Sequence, residues 1–279
     1  MTVVDFHTHL FPCGGADGEV LRPLAQRGLL HELAGAVMGE REITPDELVG
    51  FFRSQGVERS VVLAEVTPLT VGVSNNEFVG EFCAGVDALV PFCAPNPFID
   101  RDLVVIVDAL IARYGFRGVK IYPSYLPIAP NDSRLYPLYG YAQERCLPVM
   151  FHTGLSTFKG SRMRYADPLL LDDVAVDFPR LPIVMAHGGR DLWFREAFTL
   201  ARIHSNVYLE LSGLPPTRLL EYFPKLPELP GRVIFGTDFP VLRSIERNVA
   251  AIRDLGLSDA FTADVLGGTA SRLLDGVLD

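Results

Sequence analysis

Eight short apolar runs, each rich in β-branched or aromatic residues, recur along this chain of 279 residues. In order they read VVDF, SVVLA, LVPFCA, RGVKIY, PVMFH, PIVMAH, VYLELS and RVIFGT. Because nearly every position in them is apolar, they fit strands buried on both faces of a parallel sheet. Helix-like segments separate them, and eight β-then-α units in a chain of this length are typical of a (β/α)8 TIM barrel. We therefore predict an α/β protein with that architecture.

The predicted helices have recognisable ends. In TPDELVGFFRSQG, Thr44 is the expected N-cap, Pro45 takes the first helical position, Glu47 completes a capping box and Gly56 ends the helix. Further helices are expected in RDLVVIVDALIARYG, LYPLYGYAQERC, DPLLLDDVAVDF, RDLWFREAFTLARIH and SIERNVAAIRDLG. The pattern is weaker in NNEFVGEFCAGV, and PPTRLLEYFPKL predicts only one or two turns.

The main alternative fold is a doubly wound sheet, but no glycine-rich turn of the dinucleotide-binding type follows the first strand. Residues 14–43 are interpreted as an insertion after strand one, and residues 258–279 as closing helices. There is no linker or low-complexity tract, so residues 1–279 are expected to form a single domain.

The charge and cysteine content exclude several classes of function. A formal net charge of −9 and a pI near 5.2 make nucleic acid or an anionic membrane surface a poor electrostatic match. No secretory signal or spanning segment is recognisable, and the four cysteines form no CxxC pair. We expect a cytoplasmic protein without disulfides that binds a small-molecule substrate, and a homodimer remains open.

Polar residues occur where the predicted strands end. Active sites of TIM barrels lie at the carboxyl ends of the strands. Of the six histidines, only His31 and His204 fall elsewhere, and we assign both to surface or helix-capping roles. The strand-end residues are His7 and His9 on strand one, His152 on strand five, His187 on strand six and Asp238 after strand eight.

The spacing of His7 and His9 indicates a metal site. Side chains two apart on a strand point to the same side, so both imidazoles would project into the barrel mouth. Imidazole suits zinc and its neighbours, and His152 and Asp238 could complete the ligand set. The alternatives are core histidines bonded to backbone and an Asp238 that caps a helix. His187 could be a fifth ligand, a catalytic residue or a backbone-held histidine, and we favour catalysis.

The segments DFHTH, FHTG, AHGG and FGTDFP, in this order, resemble the metal-dependent amidohydrolase superfamily. The resemblance runs from residue 3 to about residue 275 and is strongest to the amidohydrolase-related branch, which includes aminocarboxymuconate-semialdehyde decarboxylase and resorcylate-type decarboxylases. It implies that His7, His9, His152 and Asp238 bind a divalent metal, usually zinc, with His187 beside the substrate. Where the family often has Asn-Ala, this chain has Thr269-Ala270, and Thr269 can still cap a helix.

The expected activity is hydrolysis of an amide, ester or lactone in a small substrate, either neutral or carboxylated. A divalent metal lowers the pKa of bound water towards about 7. Asp238 would accept the water proton and pass it to the leaving group, and His187 would steady negative charge on the substrate oxygen. Nonoxidative decarboxylation of an aromatic or muconate-type acid is the alternative. A barrel that binds metal or ligand without turnover is a third reading.

Lys120, at the end of strand four, leaves the number of metal ions open. In binuclear members of the superfamily a carboxylated lysine on this strand bridges two metals, and both later histidines, here His152 and His187, would serve the second ion. Deprotonation of the amine is required for this. The other interpretations are a contact with a substrate anion and a stem packed along the sheet with its head in water.

Further residues near the strand ends could line the pocket. Tyr122 and Arg190 are predicted to bind substrate, because arginine pairs with a substrate carboxylate through two parallel hydrogen bonds. Glu65 and Glu210 are predicted to orient metal-bound histidines. Five more candidates could line the pocket: Tyr125 and Ser124 after strand four, Arg162 and Arg164 after strand five, and Trp193 after strand six. The alternatives are solvated loop charges for the two arginines and helix packing for Trp193.

Overall fold

The computed structural model describes residues 2–12, 41–242 and 244–276. Most of the predicted insertion, residues 13–40, lies outside this part, as does His31. The barrel strands are β1 (Val4–His9), β2 (Arg59–Leu63), β3 (Leu89–Phe92), β4 (Val119–Ile121), β5 (Val149–His152), β6 (Ile183–Ala186), β7 (Val207–Glu210) and β8 (Val233–Ile234).

The eight strands form two parallel arcs that join into a ring. β1, β2 and β3 pair in this order, and β4 to β8 pair in sequence. Single bridges between Cys93 and Val119 and between Thr8 and Phe239 join the two arcs. The Lys120 N–H donates to the Cys93 carbonyl at 2.7 Å across the first junction. The predicted (β/α)8 TIM barrel is confirmed.

Helices follow the strands as the sequence predicts. They are α1 (Pro45–Ser54), α2 (Asn76–Cys83), α3 (Leu103–Tyr114), α4 (Tyr136–Glu144), α5 (Leu171–Asp177), α6 (Phe194–Ile203), α7 (Leu219–Tyr222), α8 (Ile245–Arg253), α9 (Asp259–Ala263) and α10 (Thr269–Asp275). An antiparallel hairpin, Glu65–Thr67 with Gly72–Ser74, follows β2. Within the described residues, none of these helices combines the length and apolarity needed to span a bilayer.

The predicted ends of the first helix are confirmed. The Thr44 side chain accepts the Glu47 N–H at 3.2 Å, and Pro45 is the first residue of α1. Gly56 has a φ of +79°, a left-handed conformation that glycine adopts without steric cost. Thr269 differs from expectation: a π-helical turn, Asp264–Gly268, runs directly into α10, so Thr269 lies inside a continuous helix and caps nothing.

A β-bulge in β1 determines which residues face the barrel interior. Asp5 pairs with Ser60 and Thr8 with Val62, so Phe6 and His7 together oppose the single residue Val61. Phe6 packs edge-on against Phe92, ring centroids 5.4 Å apart, in an apolar cluster drawn from strands around the ring and sealed by residues of α10. The bulge allows Phe6 and His7, although adjacent in sequence, both to face the interior.

Candidate metal centre

Three potential ligand atoms meet at the carboxyl ends of β1 and β8. His7 Nε2 lies 3.2 Å from His9 Nε2 and 3.5 Å from Asp238 Oδ1, and His9 Nε2 lies 3.3 Å from the same oxygen. Zinc bonds of about 2.0–2.1 Å in a tetrahedron separate the ligand atoms by about 3.3–3.4 Å. The triangle therefore already has the edge lengths of one face of such a site.

His152, at the end of β5, provides a fourth nitrogen. Its Nε2 is buried and has no hydrogen-bond partner among the described residues. Buried polar atoms are rarely left without a partner, and an unpartnered imidazole nitrogen in the lining of this cavity suits a metal ligand. The chemistry of the four predicted ligands fits a divalent metal ion, and the place of His152 among them stays a prediction.

His187 lies against this group from β6. Its ring centroid is 4.9 Å from that of His7 and 4.7 Å from that of His152. One of its nitrogens lies within 4.8 Å of ligand atoms of His7 and Asp238, so distance alone admits His187 as a ligand. Its role as a non-ligand catalytic residue stays a prediction.

The protonated nitrogen of His187 follows from its backbone contact. Nδ1 lies 3.0 Å from the carbonyl oxygen of Ser212, which can only accept a hydrogen bond. Nδ1 therefore carries the proton in the neutral ring, and Nε2 is an acceptor. Burial lowers the pKa of His187 well below its usual value, with the Arg190 charge adding to the effect. The sequence interpretation, in which His187 donates to a substrate oxygen, requires it first to gain a proton.

Two site residues have strained backbones. His187 and Asp238 have φ values of 64° and 63°, and they are two of the four non-glycine residues with positive φ in the described chain. This left-handed conformation is costly for residues with a Cβ atom and persists where the surrounding structure enforces it, often at functional sites. Both side chains are thus held at the barrel mouth by the fold.

Carboxylates lie behind the histidines, as predicted. Glu65 Oε2 is 3.4 Å from His9 Nδ1, and the Thr67 hydroxyl donates to Glu65 Oε1 at 2.8 Å. Glu210 Oε2 is 3.3 Å from His7 Nδ1. Ser212 also belongs to this network, through a hydrogen bond from its hydroxyl to Glu210, and was not among the predicted site residues. Its spacing of two residues from Glu210 at the end of a strand was the available signal.

The charged groups of the site have perturbed pKa values. Burial opposes ionisation of Asp238, but the hydrogen bond from His9 and the nearby charge of His7 lower its pKa to about 2. Burial raises the pKa of Glu210 to about 7, while the Ser212 hydroxyl and Lys120 act against it. Asp238 is consequently an ionised carboxylate at neutral pH.

Lys120 is sealed beneath the site. Its side chain is fully buried, with Nζ 3.2 Å from the sulfur of Met150 and 5.2 Å from the centre of the Tyr122 ring. The interpretation in which the ammonium group of Lys120 reaches water is therefore wrong, because the Tyr122 ring covers that group. Lys120 is also not among the described residues that line the cavity. Burial lowers its pKa to about 8, the direction that carboxylation requires, and the bridging role stays a prediction.

A cavity of about 450 Å³ opens above the metal ligands. One wall is aromatic: Tyr122 and Tyr125 stack with ring centroids 5.7 Å apart, and the Tyr125 ring lies 4.9 Å from that of His152. The Tyr122 hydroxyl donates to the Ala64 carbonyl at 2.8 Å, so Tyr122 presents its ring to the cavity and not its hydroxyl. Phe158 continues the wall, edge-on to Tyr125.

Arg190 supplies a cation to the same cavity. Its Nε and Nη2 both donate to the Leu155 carbonyl, at 3.2 and 2.7 Å. Nη1 passes so close to Gly213 that a Cβ atom there would lie only 2.4 Å away. Gly213 also has a φ of +67°, so glycine suits this position for both reasons. The guanidinium is therefore held at the cavity by main-chain contacts, as its predicted role requires.

The remaining candidates lie elsewhere. Arg162 and Arg164 are exposed and do not line the described cavity, and Arg164 rests on the Tyr165 ring. Trp193 precedes α6 and also lies outside the cavity lining. Ser124 is buried, and its hydroxyl has no partner in the described part of the chain. His204 follows the last residue of α6 and contacts Asp172 at 2.7 Å, in agreement with a capping role.

Solved structures share this fold over nearly the whole chain. A TIM-barrel protein from Bordetella bronchiseptica is 24% identical, with 99% of this chain and 99% of that chain covered and a TM-score of 0.80. A dihydroxybenzoic acid decarboxylase from Polaromonas sp. JS666, with bound manganese and the inhibitor 2-nitroresorcinol, is 16% identical, with 98% of this chain and 97% of that chain covered and a TM-score of 0.67.

A third structure comes from a Pseudomonas putida protein proposed to be a 2-pyrone-4,6-dicarboxylic acid hydrolase. It is 20% identical, with 100% of this chain and 99% of that chain covered and a TM-score of 0.67. No protein with a curated description matches the sequence.

The amidohydrolase family model matches residues 4–276, which include every predicted ligand. Both the motifs and the barrel agree with that match. The chain is therefore an enzyme of the metal-dependent amidohydrolase superfamily, in the amidohydrolase-related branch that its motifs indicate.

Proposed function

We propose that this enzyme is a metal-dependent hydrolase that cleaves an ester, lactone or amide bond in a small, planar, carboxylated substrate. The observation that carries the proposal is the convergence of His7 Nε2, His9 Nε2 and Asp238 Oδ1, 3.2–3.5 Å apart, on the floor of a cavity that also holds Arg190. His152 would complete the ligand set.

Zinc is the metal we expect first, because the donor set is imidazole and carboxylate. When bound, the ion supplies Lewis acidity, which acidifies water and polarises a carbonyl group. Asp238 is ionised and can accept a proton from water at one oxygen and return it to the leaving group. His187 Nε2, an unprotonated nitrogen in the same cavity, can hold a proton in transit.

Two acceptors at the cavity floor favour hydrolysis over decarboxylation. Hydrolysis begins by removing a proton from water, and both the Asp238 carboxylate and His187 Nε2 can receive one. Decarboxylation ends by delivering a proton to carbon, and that needs one of these groups to start protonated. The hydrogen-bonding of His187 therefore supports hydrolysis as the first choice.

The cavity walls define the substrate class. The stacked rings of Tyr122 and Tyr125 offer a flat apolar surface on which a planar ring can lie. Arg190 would pair with a carboxylate on that ring, since two of its nitrogens are already fixed by Leu155 and its charge remains in the cavity. A carboxylated lactone such as a pyrone has both features.

The aromatic wall also favours a second function, decarboxylation of a hydroxylated aromatic acid. Such an acid is planar and anionic, and the Polaromonas structure of the same fold is a decarboxylase of this kind. In this alternative Asp238 or His187 would deliver the proton that replaces carbon dioxide, after first acquiring it.

The two functions are distinguished by products. Protein loaded with Zn²⁺ or Mn²⁺ would be offered pyrone carboxylates, aryl esters and dihydroxybenzoic acids, with acid release and carbon dioxide measured separately. We expect acid release with one ¹⁸O from labelled water in the product, and none from Asp238→Asn. Carbon dioxide from an aromatic acid, without hydrolysis of any ester or lactone, would overturn the proposed hydrolase.

A further inference from the structure

We propose that Ser212 is a positioning residue whose hydroxyl fixes the tautomer of His7 and whose hydroxyl and main-chain carbonyl together fix that of His187. Its hydroxyl oxygen lies 2.9 Å from His7 Nδ1, 2.9 Å from His187 Nδ1 and 2.7 Å from Glu210 Oε2. One buried hydroxyl thus bridges a predicted metal ligand, a predicted catalytic histidine and a carboxylate. The proposal rests on the proposed function only in assigning His187 the role of proton acceptor during hydrolysis.

In its ionised form, Glu210 can only accept hydrogen bonds in this arrangement. The N–H of His187 donates to Oε2 at 3.2 Å, and the N–H of Ser212 donates to Oε1 at 2.7 Å. Within the described part of the chain, the Ser212 hydroxyl and His7 Nδ1 also lie within reach of Oε2. Because backbone N–H groups occupy both oxygens, the carboxylate is set up as an acceptor for the hydroxyl proton.

The hydroxyl proton decides the rest of the network. A hydroxyl has one hydrogen and two lone pairs. With its hydrogen directed to Glu210, the Ser212 oxygen can meet the two nearby Nδ1 atoms only as an acceptor. Both Nδ1 atoms must therefore carry a hydrogen, and an unprotonated Nδ1 would bring two lone pairs together at 2.9 Å.

This tautomer leaves both Nε2 atoms free. For His7, the free nitrogen is the one that lies 3.2 and 3.5 Å from the other predicted ligand atoms. For His187, it is the nitrogen available as a proton acceptor in the cavity. Ser212 thus prepares one imidazole to bind metal and the other to receive a proton.

The two histidines depend on the hydroxyl to different degrees. His187 Nδ1 is also 3.0 Å from the Ser212 carbonyl, which any residue at this position retains. Among the described residues, the second partner of His7 Nδ1 is Glu210 Oε2, at 3.3 Å. Removing the hydroxyl should therefore loosen His7 and its metal and leave the tautomer of His187 unchanged.

The test combines nitrogen NMR with metal affinity. The ¹⁵N spectrum of protein with labelled histidine would be recorded without metal, and its signals would be assigned with variants that each lack one histidine. The wild-type spectrum should show His7 and His187 protonated at Nδ1. Zn²⁺ affinity would be measured by competition with a chelating dye. Ser212→Ala should weaken it about 10–100-fold, the usual effect of losing such a partner. Ser60→Ala, which removes another buried hydroxyl on the barrel, is the matched control.

A wild-type spectrum with Nε2 of either His7 or His187 protonated would overturn the proposal. This result does not depend on whether the Ser212→Ala variant folds. Zn²⁺ affinity within twofold of wild type in Ser212→Ala would also overturn it. Neither measurement involves turnover. A protein that passes both tests but hydrolyses nothing would contradict the proposed function and leave the role of Ser212 intact.

Discussion

His187→Asn separates a catalytic histidine from a metal ligand. The asparagine amide can occupy the place of Nδ1 and keep the hydrogen bond to the Ser212 carbonyl, 3.0 Å away in the wild type. Only Nε2 and part of the ring are lost. The variant thus removes the proton acceptor in the cavity while retaining the contact that holds the side chain in place.

We expect turnover to fall by about 10²–10⁴, the usual contribution of a positioned acid or base. That range corresponds to about 2.7–5.4 kcal/mol in activation free energy. Metal content should not change, because His7, His9, His152 and Asp238 remain. Lost packing of the ring against His7 and His152, at 4.9 and 4.7 Å, should reduce unfolding free energy by only about 1–2 kcal/mol.

The assay is metal content per chain by mass spectrometry, measured beside turnover and circular dichroism. His152→Asn is the matched comparison, because it makes the same chemical change at a predicted ligand and should lower metal content. If His187→Asn empties the site as far as His152→Asn does, His187 is a ligand. The distance of its nitrogen from His7 and Asp238, within 4.8 Å, makes that outcome a real test.

Three further results are expected. Arg190→Met should raise KM about 10–100-fold for carboxylated substrates, because it removes a charged hydrogen bond worth about 1.5–3 kcal/mol. Arg162→Met, at an exposed arginine outside the cavity, should leave KM unchanged. Equal effects of the two substitutions would argue against a contact between Arg190 and the substrate. Removal of the metal by a chelator should lower Tm by about 5–10 °C, and added Zn²⁺ should restore it. A metal at 100 times its Kd stabilises the folded state by about 2.7 kcal/mol, which corresponds to a shift of this size. An unchanged Tm would contradict the metal site. Iodoacetamide should modify the exposed Cys146 in the native protein but Cys83 and Cys93 only after denaturation, because burial raises the pKa of both thiols to about 12. Peptide mapping would identify the modified cysteines. Modification of Cys83 or Cys93 in the native protein would contradict this prediction.

Much of the barrel could be predicted from local sequence. Continuous apolar runs indicate buried parallel strands, and caps such as Thr44 and Gly56 depend on contacts within a few residues. Because strand ends share one face in a barrel, the positions of His7, His152 and Asp238 near strand ends were sufficient to predict that they meet. Thr269 was misjudged because the helix continues through it from a π turn, and in that turn Gly267 packs against the Thr2 carbonyl, a contact between residues distant in sequence.

The roles of Lys120 and Ser212 could not be predicted locally. Lys120 is buried because β5 brings the sulfur of Met150 to 3.2 Å from its Nζ, and that contact depends on strand pairing. Ser212 matters because β1, β6 and β7 bring His7, His187 and Glu210 within 3 Å of its hydroxyl. The contact of Ser212 with His7, 205 positions away in the sequence, is set by barrel closure, so the spacing from Glu210 alone could not predict it.

The sequence by itself determined that His7 and His9 share a side of their strand, because alternation is a property of extended backbone. It did not determine that this side is the interior, where Val4 and Phe6 also point. Simple alternation from Phe6 would direct His7 outwards. The bulge that opposes Phe6 and His7 to Val61 places both inside, and it exists only where β1 pairs with β2. The backbone period is local, but the pairing that shifts it by one residue is tertiary.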